Sequence, residues 1–375
     1  MTQCRSVGLA ALLALCAGGV TFGPVPAKAA GPSAKEVKAI ADRAAAYLKT
    51  TQGADGSFSP QRAGPGITAV VAAALLRNGF SSDDPMVARA LAYLEKNVQK
   101  DGGIYDKFLA NYTTSVALMA FVEANKDGRY DAAIKGATKF LRGMQFDDSK
   151  VESGDAKYGG VGYDGKSRPD LSNTQYFLDA LQAAGVAKDD PAVKRALMFV
   201  SRCQNLAGEH NDQAFASKAS ADDKGGLVYD PLAQDSKRQQ TPQGGLRSAG
   251  AMTYAGLKSF LYAGLSKDDP RVQGAVRWIR VHYTLEENPG MGQAGLYYYY
   301  HTFAKAMTAL KEDNFQDAKG VQHDWRKELF EALKKRQRPD GSFLNRGDKA
   351  FGEGDANLAT AFALLTLSYV QAPAK

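Results

Sequence analysis

Two kinds of helix alternate along this chain. One kind carries charge over much of its surface. Residues 43–58, RAAAYLKTTQGADGSF, end such a helix in a Gly-Asp turn, with Ala46, Tyr47 and Thr50 near one face. The other kind is apolar nearly all round, as in PGITAVVAAALLRNGF (residues 65–80) and YTTSVALMAFVEAN (residues 112–125). A helix with a charged face lies on the outside of a fold, and one apolar on every side is buried. The corner between them has a fixed wording: Tyr47-Leu48, then Gln52, Asp55-Gly56 and Phe58. A buried glutamine needs partners for its amide, and helix ends need partners for theirs. The corner therefore reads as a staple. Gln52 ties the turn to neighbouring helix ends, Gly56 permits a positive φ, and Phe58 packs over the joint.

The wording recurs. A second copy holds Tyr93-Leu94, Gln99, Gly102 and Tyr105, with one extra residue before the glutamine. A third holds Phe140-Leu141 and Gln145, its turn expanded into KYGGVGYDGKSRPDLS before the helix NTQYFLDALQAAG. The fourth holds Phe199-Val200 and Gln204, followed by a long insertion (residues 207–245) and the helix AMTYAGLKSFLYAG. In the fifth, Tyr283 stands in the glutamine place before GLYYYYHTFAKAMTAL. The sixth holds Leu333, Gln337, Asp340-Gly341 and Phe343 before GDANLATAFALLTLSYV. Such hairpins cannot bury their apolar helices singly, so neighbours must stack. The expected fold is all-α: an α/α toroid of about six helical hairpins, apolar helices inside and charged helices outside, with few strands. The other arrangement of the same hairpins is an open solenoid.

Three connections repeat an Asp-Asp-Pro string, at Pro85, Pro191 and Pro270. Paired aspartates can hold a metal or a diphosphate. Here Asp84, Asp190 and Asp269 read instead as helix N-caps with proline at the first helical position.

Composition changes the picture at the start of the chain. The sequence has 375 residues, 44% of them hydrophobic, ample for a large core. Residues 1–29 are expected to be a signal peptide: Arg5, an apolar run too short to span a bilayer, then Ala27-Lys28-Ala29 as a small-x-small cleavage site. The other reading is an uncleaved anchor. Residues 30–375 then form one domain, exported to the periplasm or the medium, without a transmembrane span. Cys4 and Cys16 leave with the signal, so Cys203 has no intrachain partner. The formal charge is +7, or +5 without Arg5 and Lys28, and no basic stripe marks a nucleic-acid partner.

The corner pattern of Arg43, Tyr47, Leu48, Gln52, Gly56 and Phe58 resembles the repeat of squalene/hopene cyclases, which share the α/α toroid with protein prenyltransferase β subunits. The resemblance covers most of the mature chain, and the Thr-Ala-aromatic-Ala-Leu-Leu run from Thr360 to Leu365 is similar to an inner helix of that family. It implies a toroid in which the repeat is structural and carries no chemistry. The family's catalytic strings are missing. There is no Asp-x-Asp-Asp acid, no Asp-Asp-x-x-Asp, no Asp-x-Cys zinc ligand pair and no Gly-Cys-Gly-Glu-Gln thioester. Squalene cyclases typically hold two toroids, and this chain holds one. No cofactor or metal is expected.

In a toroid the cavity opens where the inner helices begin, and helix N-termini there carry partial positive charge. The residues expected at that mouth are Tyr112, Arg168, Asp170, Asn173, Tyr176, Arg247, Tyr254, Tyr298, His301, Asp355 and Asn357. Asp170 and Asp355 read first as caps, and second as a carboxylic acid held protonated in an apolar pocket. His301 reads as a base or as a hydrogen-bonded core residue. Of the tyrosines at 297–300, at least one must face the cavity. Aromatic walls suit an isoprenoid, because π faces stabilise carbocations. The expected function is binding, with cyclisation a further step, of a polyprenyl or triterpene lipid. The alternatives are a non-catalytic cell-envelope scaffold with residues 207–245 as its contact surface, and a polysaccharide lyase or hydrolase.

Overall fold

The computed structural model describes Met1 and residues 31–233 and 239–371; apart from Met1, the expected signal peptide lies outside them. Six apolar helices form an inner ring: α3 (Gly66–Arg77), α5 (Ala110–Ala124), α7 (Leu171–Ala183), α10 (Gly250–Tyr262), α12 (Leu296–Leu310) and α14 (Ala356–Val370). Each packs on the next, and α14 packs back on α3, so the ring is closed. Six outer helices surround it: α1 (Ala34–Thr51), α4 (Pro85–Lys96), α6 (Asp131–Met144), α8 (Pro191–Arg202), α11 (Pro270–Val281) and α13 (Trp325–Arg336). Short helices α2 (Pro60–Ala63) and α9 (Ala214–Ser217), a 3-10 turn (Ala350–Gly352) and a two-stranded hairpin, Asn314–Gln316 with Gln322–Asp324, complete the named elements.

Burial follows the pattern of the sequence. Helix α4 buries Met86, Val87, Ala90, Leu91 and Leu94, a single stripe at helical spacing, and leaves the rest to solvent. Helix α14 buries every position from Asn357 to Leu367. Pro85, Pro191 and Pro270 open α4, α8 and α11, and the preceding aspartates cap them. Asp84 accepts from the amides of Met86 and Val87, Asp190 from Ala192, and Asp269 from Arg271.

The corner glutamines clasp neighbouring units. Gln145 Nε2 donates to Gly159 O in its own turn and to Ala192 O at the start of α8, both at 2.9 Å. Arg195, one turn further along α8, donates Nε back to Gln145 Oε1 at 3.1 Å. Gln52 does the same with Gly56 O, Met86 O and Arg89. Gly159 has φ +83°, and a Cβ there would stand 1.8 Å from Arg195 O. Only glycine lets the two backbones meet. Phe58, at the joint, is fully buried.

Three units depart from this pattern. The extra residue before Gln99 shifts it, and its amide bonds Asn97 O and Tyr105 O inside its own unit. Gln204 reaches Gly225 O and Arg271 O, but Gly274 occupies the place of the returning arginine and Gln204 Oε1 is left without a partner. Tyr283, in the glutamine place, sends its hydroxyl to Glu328 of α13 at 2.8 Å. A second device joins corner to inner helix. The amides of Phe58, Ile104, Val161, Leu227 and Phe343 donate to the hydroxyls of Thr68, Thr114, Thr174, Thr253 and Thr360, at 2.8–3.0 Å.

The last clasp closes the ring. Gln337 Nε2 donates to Gly341 O and to Ile40 O of α1, each at 3.0 Å, and the Arg43 guanidinium donates to Gln337 Oε1. Helix α1 thereby lies against α14, the last inner helix. Gln337→Ala removes donors from two backbone carbonyls and is expected to cost about 1–3 kcal/mol in denaturant unfolding. Gln99→Ala, which breaks no bond between units, should cost less. Equal losses would contradict the clasp.

Candidate functional site

A cavity of about 510 Å³ opens at the end of the ring where the inner helices begin. Tyr112, Tyr176 and Tyr298 stand in a row across it. Tyr112 meets Tyr176 edge-on at 4.8 Å, and Tyr176 stacks towards Tyr298 at 6.2 Å. The Tyr298 hydroxyl is fixed by Ser172 Oγ at 3.0 Å and Gln175 Nε2 at 3.2 Å. Opposite them, Tyr163 and Tyr229 share a hydroxyl–hydroxyl bond of 2.9 Å. Ile67, Leu109, Met252, Met291, Leu358 and Phe362 supply the aliphatic and phenyl surface. Arg62 and Arg247 also reach the cavity, as does exposed Phe351.

No carboxylate lines the cavity among the described residues, although the mouth is ringed by them. The reason is capping. Helix N-termini leave several amides without partners, and acidic groups satisfy them with favourable charge. Asp170 accepts from the Asn173 amide at 2.8 Å and the Asn173 side chain at 2.7 Å. Asp355 accepts from the Asn357 and Leu358 amides and pairs with Arg62 at 3.3 Å. Helix α12 begins at Gly295 with no side-chain cap, and Glu353 is brought from the chain ahead of α14 to accept the Tyr298 amide at 2.7 Å. Asn288 Oδ1 does the same for Ala251 at the start of α10. The polar ends are consumed internally, and the wall they leave is apolar and aromatic.

Of the residues expected at the mouth, the structure brings Tyr112, Asn173, Tyr176, Arg247 and Tyr298 to the cavity. Arg168 is held at the rim by Asp230 at 2.5 Å. Asn357 bridges Ser59 and Thr51. Tyr254 is buried against Tyr299 and Phe303. His301 does not lie at the mouth. It sits five residues from the start of α12, beneath the tyrosine floor, beside a second void bordered by Arg77, Tyr176 and Lys305. Burial, then the neighbouring Lys305 and Arg77 charges, hold its imidazole well below the usual histidine range, so it is neutral.

Tyr163 and Tyr229 were not foreseen. Their signal is a shared spacing, GGVGYD (residues 159–164) and GGLVYD (residues 225–230), which brings a tyrosine inward from two successive corners. Asp170 stands behind this pair. Burial pushes its carboxyl up to about 7. Burial, followed by the nearby Asp170 charge, drives the Tyr229 phenol up as well.

Residues 60–221 match the family model described as squalene-hopene cyclase C-terminal domain. No curated protein matches the chain in sequence. Among solved structures, the chain is similar to the type II terpene cyclase MstE from Scytonema, with 13% identity and a TM-score of 0.54 over 90% of this chain and 98% of that one. A variant of that enzyme, at TM-score 0.51, is in complex with geranylgeranyl dihydroxybenzoate as substrate. A glycosyl hydrolase family 88 protein from Bacteroides vulgatus is 12% identical, with a TM-score of 0.54 over 90% and 99% of the two chains. A D-mannose isomerase is 13% identical, with a TM-score of 0.56 over 92% and 98%. At these identities the likeness is one of fold.

The Asp170 carboxyl binds its proton more tightly when folded than at its unfolded value near 4. Its stabilising contribution is complete below about pH 4 and is lost as pH rises through about 7. Asp170→Asn keeps an acceptor at the cap and removes the ionisation. The melting temperature of the variant relative to the parent should therefore rise between about pH 4 and 8. A difference independent of pH would show that the carboxyl is not held protonated.

Proposed function

Because this chain is a squalene-hopene-cyclase-like α/α toroid, we propose that it is an exported protein holding a polyprenyl or triterpene lipid in its central cavity. The observation that carries this reading is the wall itself: five tyrosines with aliphatic and phenyl neighbours, and every carboxylate at the mouth committed to a helix end or an arginine. Pockets of about 300–1,000 Å³ lined by apolar and aromatic groups hold molecules of this size class. The prenylated substrate of the terpene cyclase neighbour belongs to the same chemical class.

Cyclisation would need an acid. Asp170 is the candidate, since it keeps its proton to about pH 7 and the Tyr229 hydroxyl lies between it and the cavity. In that step the Asp170 proton would move to the Tyr229 oxygen as the phenolic proton moves to a terminal alkene, leaving Asp170 ionised and Tyr229 neutral. The tyrosine faces would then stabilise the carbocation.

Carbohydrate enzymes on this fold prompt a second reading, but glycosidic cleavage places two carboxyl groups on opposite sides of the bond. Asp170 and Asp355 are instead engaged at helix N-termini, outside the lining. No helix among the described residues is long and apolar enough to cross a membrane.

The purified protein should retain a co-purifying isoprenoid, or convert squalene or a prenyl diphosphate to a cyclic product detected by mass spectrometry. Tyr298→Ala should weaken retention at least about tenfold, the loss of one aromatic contact in an apolar pocket. If conversion occurs, Asp170→Asn should abolish it. No bound lipid and no product would end the proposal.

A further inference from the structure

Beneath the cavity, all six inner helices contribute to one polar cluster in the middle of the ring. Asp179 of α7 accepts from Lys258 of α10 at 2.6 Å and forms an ion pair with Lys305 of α12 at 2.7 Å. Lys258 also donates to Gln175, and its charge lies 5.6 Å from the Tyr262 ring centre. Arg77 of α3 pairs with Glu123 of α5 at 3.0 Å and donates to the Tyr369 hydroxyl of α14. Three cations thus face two carboxylates. Asp179, Lys258 and Lys305 are each at most 5% exposed, where an uncompensated charge is expensive.

The void bordered by His301 lies inside this cluster. Its volume is about 20 Å³, enough for one small ion or water. Four polar groups border it: Arg77, Tyr176, His301 and Lys305. All four can donate a hydrogen bond, and no carboxylate lines the void. Val70, Ala73, Val116, Met119 and Leu365 make up the remainder. His301 Nδ1 and the Tyr176 hydroxyl are buried without a protein partner, and their side chains are 4% and 3% exposed.

A donor-lined void beside one excess positive charge selects an anion over water. We infer that it is a binding site for a monatomic halide, held by Lys305, Arg77, His301 with its proton on Nδ1, and the Tyr176 hydroxyl. The ion balances the cluster. It also fixes Tyr176, whose ring is part of the cavity floor, from below. Without it, burial would be relieved by deprotonating Lys258, whose ammonium is already held down to about 7 by burial. The site is independent of what the cavity above holds.

Crystals of the intact protein soaked in sodium bromide provide the test. Anomalous diffraction is expected to show a bromide within contact distance of Lys305 Nζ and His301 Nδ1. In solution, replacing gluconate by chloride at constant ionic strength should raise the melting temperature, and His301→Phe should abolish that rise. Arg247→Met, on the cavity above, should leave the rise intact. A void that holds only water in bromide crystals, bromide confined to other positions, or a chloride effect that survives His301→Phe would each overturn the site.

Discussion

A primary amide at the end of five of the six outer helices is the interaction on which this architecture turns. Glutamine has two N–H donors and one carbonyl acceptor on a side chain long enough to leave its own turn. It can therefore bond a carbonyl in its own corner, a carbonyl at the start of the next outer helix, and an arginine one turn further along. Gln145 makes all three bonds while fully buried. Glutamate would offer no donor for the carbonyls, and asparagine would not span the gap. At four of the six corners the clasp ties one hairpin to the next. Gln337 then makes the same bonds to Ile40 and Arg43 at the other end of the chain, so the array ends as a ring.

Closure determines the site. Six inner helices pointing one way place six N-termini at one opening, a concentration of unpaired amides and positive partial charge. The chain answers with Asp170, Asp355, Glu353 and Asn288 as acceptors. What remains for the cavity is side chain, chiefly tyrosine. Lower in the ring, where no helix ends are available, Asp179, Lys258 and Lys305 place charge in the core. Removing Asp179 would leave two buried ammonium groups without their shared counter-charge.

The sequence made much of the fold legible because the corner wording repeats and the two helix types differ in kind. The asparto-prolyl connections were legible for the same local reason: a cap and a proline act within one turn. The eroded fifth unit was readable by position, and Tyr283 does send a bond to the next outer helix. The site was less legible. Tyr112, Tyr176 and Tyr298 are set by helix phase, and they reach the cavity. His301 lies on the same helix as Tyr298, three residues on, but that step carries it beneath the floor. Tyr163 and Tyr229 come from expanded turns, whose paths depend on long-range packing. Asp179, Lys258 and Lys305 each read as a lone charge in an otherwise apolar helix. Only closure of the ring shows that they meet.

The central claim is that a closed ring of glutamine-clasped hairpins encloses a tyrosine-walled chamber suited to an isoprenoid. The most direct measurement is a crystal structure of the protein grown with geranylgeraniol. The account predicts a continuous chain of density between the Tyr112, Tyr176 and Tyr298 rings and the Tyr163–Tyr229 pair, inside a ring in which α14 touches α3. A ring that fails to close, or a chamber without ligand when the lipid is bound elsewhere, would contradict it.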